Sequence, residues 1–423
     1  MAKFRSLLKN KNFVLYSIGQ AFSQFGDRLV QIVLIGLVYK RWPGSTVQLA
    51  KLFFFTVIPS FFISPIAGVY IDRWNKKHVM IASDVLRAVA ILLIPVFFLY
   101  RESIIPIYAI IFFIFASACF FLPARLSILP TLVSKEDLLI ANSASSITWV
   151  GAGIAGFSLG GVLAEWIGIK NSLLINSFVY LLSAGSFTLL LFRMRNGKKF
   201  SKPVFNPHEI KEVIRKSFRH DLVEGVKAIF FEKKIRFVVY IFFVFSSMIG
   251  AIYVVSVVFI QETLKSMTKY VGIFSMCLFV GLLVGSYIYG KIGQRLSRAK
   301  TIFFSLMLAG ASINAFVVGL KIMQSLWAGC ASAALLGLFI SPIFVTSNVI
   351  IHECTESNLR GRIFSSIGIV MNLGFLLFMF LSSVLAEHID RFWILIACGS
   401  GFAIFGLVNF LAGTLKKATF SSS

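Results

Sequence analysis

Gln20, Gln24, Asp27 and Gln31 recur at i, i+4, i+7 and i+11 inside an otherwise apolar run. That spacing puts one carboxyl and three amides on a single face of a helix. A charged carboxyl near mid-membrane costs at least about 2.5–3.5 kcal/mol on insertion scales, so it is seldom there without a function. It can take up a proton and release it when a cation or a substrate approaches. Arg28 follows directly in sequence but is turned about 100° around the helix. Asp27 and Arg28 are therefore candidates for proton coupling, with a purely structural Asp27–Arg28 ion pair as the competing reading. The three glutamines line the same stripe as candidate substrate contacts.

A second constellation lies between Gly68 and Ala88. An apolar run reaches Ile71, breaks into Asp72, Arg73, Trp74, Asn75, Lys76 and Lys77, and resumes at His78. So short a polar break reads as a tight hairpin between two membrane segments. Asp72 at a span end needs a basic partner or a helix N-terminus to hold its charge. Asp84 and Arg87 share a face of the following segment at i, i+3 spacing, and Arg125 is a further cation within reach. Gly68 removes a side chain where a neighbouring helix is expected to come close.

Other chemistries find little support. The five cysteines are scattered, without metal-ligand spacing or a disulfide framework. No metal and no cofactor are expected. Gly151-Ala-Gly-Ile-Ala-Gly156 imitates a dinucleotide fingerprint, and Gly285 to Lys291 a phosphate loop, but neither has the strand–turn–helix context those motifs require. Gly156, Gly160 and Gly161 instead form a small-residue packing face, expected to meet a matching face at Gly281 and Gly285 in the eighth segment. His208, His220, His352 and His388 stand alone, so an enzyme is not expected.

These residues need a scaffold, and the chain dictates one. It has 423 residues, of which 58% are hydrophobic and only 14% charged, with mean hydropathy +0.87. Apolar runs of about 20 residues, each enough to cross a bilayer core, recur along it. They predict an all-α membrane protein with twelve spans, at 13–39, 49–71, 78–100, 104–132, 139–164, 170–192, 235–261, 268–290, 300–320, 324–351, 361–385 and 391–415. The net charge of +24 does not point to nucleic acid. Lys and Arg concentrate in alternate loops, which places both termini on the cytoplasmic side. Residues 1–192 form an N-terminal six-helix bundle and 235–423 a C-terminal one. Between them, 193–234 carries a basic amphipathic helix suited to an anionic inner leaflet.

Six plus six spans around a basic central segment, with Gly68-x-x-x-Asp72-Arg73-x-x-Lys76-Lys77 between the second and third, resembles the major facilitator superfamily. Phe120 to Ser143 (FFLPARLSILPTLVSKEDLLIANS), Asp84 with Arg87, and Leu359-Arg360-Gly361-Arg362 resemble its macrolide-efflux and siderophore-exporter branch. That resemblance implies two pseudosymmetric bundles and alternating access. Gly68, Asp72, Arg73, Lys76, Lys77, Asp84, Arg87 and Arg125 become a cytoplasmic gate, with static ion pairing as the alternative. Helices 1, 4, 7 and 10 line the cavity in resembling proteins, which adds Ser247, Tyr253 and Asn348 to the substrate candidates. The expected protein is a monomeric inner-membrane exporter of a small amphipathic compound, driven by proton antiport. A flippase for lysophospholipid or a lipid-linked substrate is the alternative.

Overall fold

A computed structural model describes residues 7, 9–100, 105–134, 136–194, 233–293, 296–354 and 360–415. Among them lie twelve helices long and apolar enough to cross a membrane. In hydrocarbon a helix satisfies every backbone polar group within one segment, which is why such runs fold this way. The helices are α1 (Lys11–Arg41), α2 (Thr46–Arg73), α3 (Lys76–Tyr100), α4 (Ile105–Ile128), α5 (Leu138–Trp166) and α6 (Gly168–Arg193). They continue with α7 (Lys233–Leu264), α8 (Lys269–Ile292), α9 (Arg298–Lys321), α10 (Leu326–Cys354), α11 (Arg360–Leu385) and α12 (Arg391–Leu415). The expected fourth span shortens: Pro130 ends α4 in a 3-10 turn at Leu129–Thr131. The amphipathic helix expected within 193–234 falls almost wholly outside the described residues.

The chain divides into two compact units, Met1–Lys40 with Lys51–His220, and Arg41–Ala50 with Asp221–Ser423. In the first, α1 is the central element, with 67% of its apolar window buried against 33% for α4. Helix α3 packs on α4 and α6, and α5 also packs on α6. The small faces of α5 meet α1. A Cβ added to Gly156 would stand 2.6 Å from Arg28 Cβ, and one on Gly160 would stand 2.6 Å from Ile32 Cγ2.

In the second unit α7 is equally buried, and it packs against α11, while α8 pairs with α10 and α9 with α12. A Cβ on Gly285 would come within 2.9 Å of the Leu338 backbone in α10. The expected pairing of the α5 and α8 faces is thus corrected, because each face is consumed inside its own unit. Small residues at i, i+4 announce that a helix approaches, without saying which one. Residues 41–50 join this second unit through the Thr46 hydroxyl, which lies 2.7 Å from Ser383 O, and through Arg391 Nη2, which donates to Gly44 O at 2.6 Å. Arg391 also pairs with Glu262 at 3.0 Å. Asp390 starts α12 by accepting from the Phe392 N–H at 2.8 Å.

Large apolar side chains stay open on the helix exteriors, among them Leu86 at 60%, Phe113 at 65% and Trp327 at 87% exposure. Lipid is the medium that covers such a surface. Gly68 is exposed, and a Cβ there would meet no atom of the described residues within 4 Å. Two outcomes follow for thermal unfolding in detergent. Gly156→Val and Gly285→Val each cost about 1–3 kcal/mol by overpacking, whereas Gly68→Ala stays within about 0.5 kcal/mol of the parent.

Candidate functional site

The first unit holds a polar cluster where α1, α3 and α6 meet. Asp84 and Arg87 sit one turn apart on α3, and both are completely buried. Arg87 Nη1 donates to Asp27 Oδ1 at 2.6 Å, Nη2 donates to Ser23 Oγ at 3.1 Å and to Asp84 Oδ1, and Nε donates to Ser83 O at 3.2 Å. A fork of fixed donors can hold two carboxylates at once, which an ammonium cannot do with the same geometry. The guanidinium carbon also lies 4.7 Å from the ring centroids of Phe121 and Tyr180.

The α6 side chains complete the cluster. Tyr180 donates its hydroxyl to Asp27 Oδ1 at 2.6 Å, and Ser183 Oγ lies 2.6 Å from Asp84 Oδ2. Two glycines let α6 come this near to α1. A Cβ on Gly26 would be 3.0 Å from Tyr180 Cζ, and one on Gly19 would be 2.7 Å from the Phe187 ring. One cation therefore faces two acids. With both acids ionised the trio carries one negative charge, and with one protonated it is neutral. Asp84 is closed off, whereas the Asp27 side chain keeps 22% exposure.

Asp27 thus pairs with Arg87 rather than with its neighbour, and the Asp27–Arg28 ion pair is corrected. Arg28 points elsewhere on the helix, as the 100° turn requires. It donates to Gln31 Oε1 at 3.2 Å and lies 5.4 Å from the Trp149 ring and 5.7 Å from that of Phe157. Gln20 is fully buried and exchanges two 2.8 Å hydrogen bonds with Ser145 on α5, while Gln24 is buried nearby. The expected polar stripe is therefore split between helix-to-helix bonding at Gln20 and the Asp27 cluster above it.

Asp84 and Arg87, read from the sequence as part of a gate, stand in the same cluster as Asp27. Arg125 lies one turn beyond Phe121 on α4, where its backbone carbonyl accepts from the Tyr16 hydroxyl at 3.3 Å. Lys76 and Lys77 open α3, where Asn75 caps the helix by accepting from the Lys77 N–H at 3.1 Å. The side chains of Asp72 and Arg73 lie outside the described residues. In the second unit Ser247 is buried, Tyr253 packs on Phe375 at 5.8 Å, and Asn348 is exposed and bonded to Phe344 O of its own helix. No group of acidic, histidine or cysteine side chains among the described residues could hold a metal ion.

Tyr180, Ser183 and Ser23 escaped the sequence reading. A signal for two of them was present: Asn176, Tyr180 and Ser183 recur at i, i+4 and i+7 on α6 as a second polar stripe. The cluster makes a testable demand on stability. Arg87→Ala leaves two carboxylates without their cation and should cost about 3–5 kcal/mol. Tyr180→Phe removes one hydrogen bond and should cost about 0.5–1.5 kcal/mol, or up to about 3 kcal/mol because the acceptor is charged. Fluorescence-detected gel filtration after a heating series separates the two.

Comparison with known proteins adds the family. The family model for the Major Facilitator Superfamily matches residues 16–282 and 237–420. The putative bacilysin exporter BacE of Bacillus subtilis (strain 168) is 26% identical over 418 residues, covering 93% of each chain. Macrolide efflux protein A of Streptococcus pyogenes is 22% identical over 389 residues, covering 90% of each. Among solved structures, a POT family transporter in complex with 5-aminolevulinic acid superposes with a TM-score of 0.71 over 96% of both chains, at 14% identity, which speaks for the fold alone. With a match running over nearly its whole length and twelve apolar helices to carry it, this chain belongs to the major facilitator superfamily of membrane transporters.

Proposed function

We propose that this protein is a proton-coupled exporter of a small amphipathic compound, with Asp27 as the proton carrier. The observation that carries the reading is the sharing of Arg87 between Asp27 and Asp84. Two acids on one cation let a proton enter the membrane interior without creating an unpaired charge there. When Asp27 is protonated, Arg87 keeps Asp84 as its partner and loosens its hold on α1. When the proton leaves, the α1–α3 ion pair re-forms. Chemistry at one carboxyl is thereby coupled to the contact between two helices, which alternating access requires.

The efflux assignment is supported by the relatives: one is described as a bacilysin exporter and another as a macrolide efflux protein. Both termini face the cytoplasm of a plasma or inner membrane in this reading, since the loops richest in Lys and Arg then lie inside. The polar hairpin from Asp72 to Lys77 joins that face as part of a gate, and the substrate is met along Gln24, Asp27 and Gln31 in the first bundle. The chain works as a monomer, in two bundles joined by the basic segment 193–234.

Uptake into inverted membrane vesicles with an acidic lumen tests this, using a panel of macrolides and small peptide-like compounds. The parent should accumulate at least one compound when the gradient is imposed and lose it when the gradient is collapsed. Asp27→Asn should abolish gradient-driven accumulation while retaining exchange of labelled for unlabelled compound. Gradient-driven accumulation by Asp27→Asn at the parental rate would overturn the assignment of the carrier.

A further inference from the structure

Arg125 is 7% exposed, and its Nε and Nη1 have no hydrogen-bond partner. It sits in the last turn of α4 within an apolar packing group that includes Tyr16, Phe121, Ala124 and Ile128. The nearest polar neighbours are already committed. Tyr16 donates to the backbone carbonyl of Arg125, not to its side chain, and Asp27 Oδ1 is taken by Arg87 and Tyr180. The negative end of the α4 dipole gives partial compensation. Even so, no hydrogen bond is donated by this guanidinium among the described residues. Guanidinium nitrogens buried without an acceptor are costly, because no hydrogen bond repays their lost hydration. Asp27 and Asp84 are both held by Arg87, and neither is hydrogen-bonded to Arg125 among the described residues.

We infer that Arg125 is the docking point for an anionic group, a carboxylate or a phosphate, carried by the transported compound. This rests on the transport reading above and narrows its substrate to molecules with an acidic end. The guanidinium supplies planar, charge-assisted donors matched to a carboxylate or phosphate. Binding there supplies an acceptor without drawing Arg87 away from Asp27 and Asp84.

The test uses the purified full-length protein in a neutral detergent free of anionic lipid. Sodium acetate and sodium phosphate are titrated separately against sodium chloride at constant ionic strength, and thermal unfolding is recorded. The parent should show saturable stabilisation by at least one of the two anions, and which of them acts distinguishes a carboxylate site from a phosphate site. Arg125→Gln should weaken that binding by roughly ten- to a hundredfold, and Arg125→Lys should retain part of it. If Arg125→Gln proves too unstable to purify, Arg125→Lys carries the comparison, with loss of affinity expected and parental affinity counting against the site. No saturable effect in the parent, or an equal effect in Arg125→Gln, overturns the inference. Neither result depends on vesicle transport, so the anion site can fail while the exporter reading stands, and the reverse.

Discussion

One guanidinium held between two carboxylates governs the first bundle. Arg87 is completely buried, and its donors reach Asp27 on α1 and both Ser83 and Asp84 on its own helix. Nothing in a bilayer core would tolerate such a group alone, so the surrounding helices are arranged to pay its desolvation. Phe121 and Tyr180 cover its faces, Ser23 and Ser183 bond Asp84, and Gly19 and Gly26 thin α1 so that α6 can deliver the tyrosine hydroxyl. The packing of α1, α3 and α6 and the electrostatics of Arg87 are one constraint seen from two sides.

The same constraint sets the two acids apart, and it is why Asp27 is the one proposed to carry the proton. Asp84 is locked by three partners, Ser23, Arg87 and Ser183, in a fully enclosed place, whereas Asp27 has two partners on one oxygen and retains contact with the outside of the cluster. A proton arriving at Asp27 removes the excess negative charge rather than adding an excess positive one. Arg28 and Arg125 sit apart from this balance: the first is spread over the Trp149 and Phe157 rings, and the second is buried without an acceptor. The first bundle thus holds a cation shared by two acids and a second cation, Arg125, whose Nε and Nη1 find no acceptor among the described residues.

Much of this was legible in the sequence. Span positions follow from apolar run length alone, and all twelve helices lie within a few residues of the expected limits, because a bilayer leaves the backbone no alternative. The importance of Asp27, Asp84 and Arg87 follows from the cost of charge in hydrocarbon. Their partnership does not, since it joins residues 60 apart through helix rotations that composition does not encode. Arg28 was the adjacent cation, but adjacency in a helix separates side chains by 100° and α3 brought Arg87 to the open face. The glycine faces were misassigned for a similar reason: small residues record closeness, and the partner is chosen by tertiary packing. Tyr180 was hidden because a tyrosine in an apolar span looks like core until its hydroxyl is placed.

Whether a proton sits on Asp27 can be read directly. Infrared difference spectra recorded on acidifying the purified protein report the carbonyl stretch of a newly protonated buried carboxylic acid. The account predicts one such band in the parent, retained in Asp84→Asn and absent in Asp27→Asn. A band that survives in Asp27→Asn and disappears in Asp84→Asn would move the proton to the enclosed acid and contradict it.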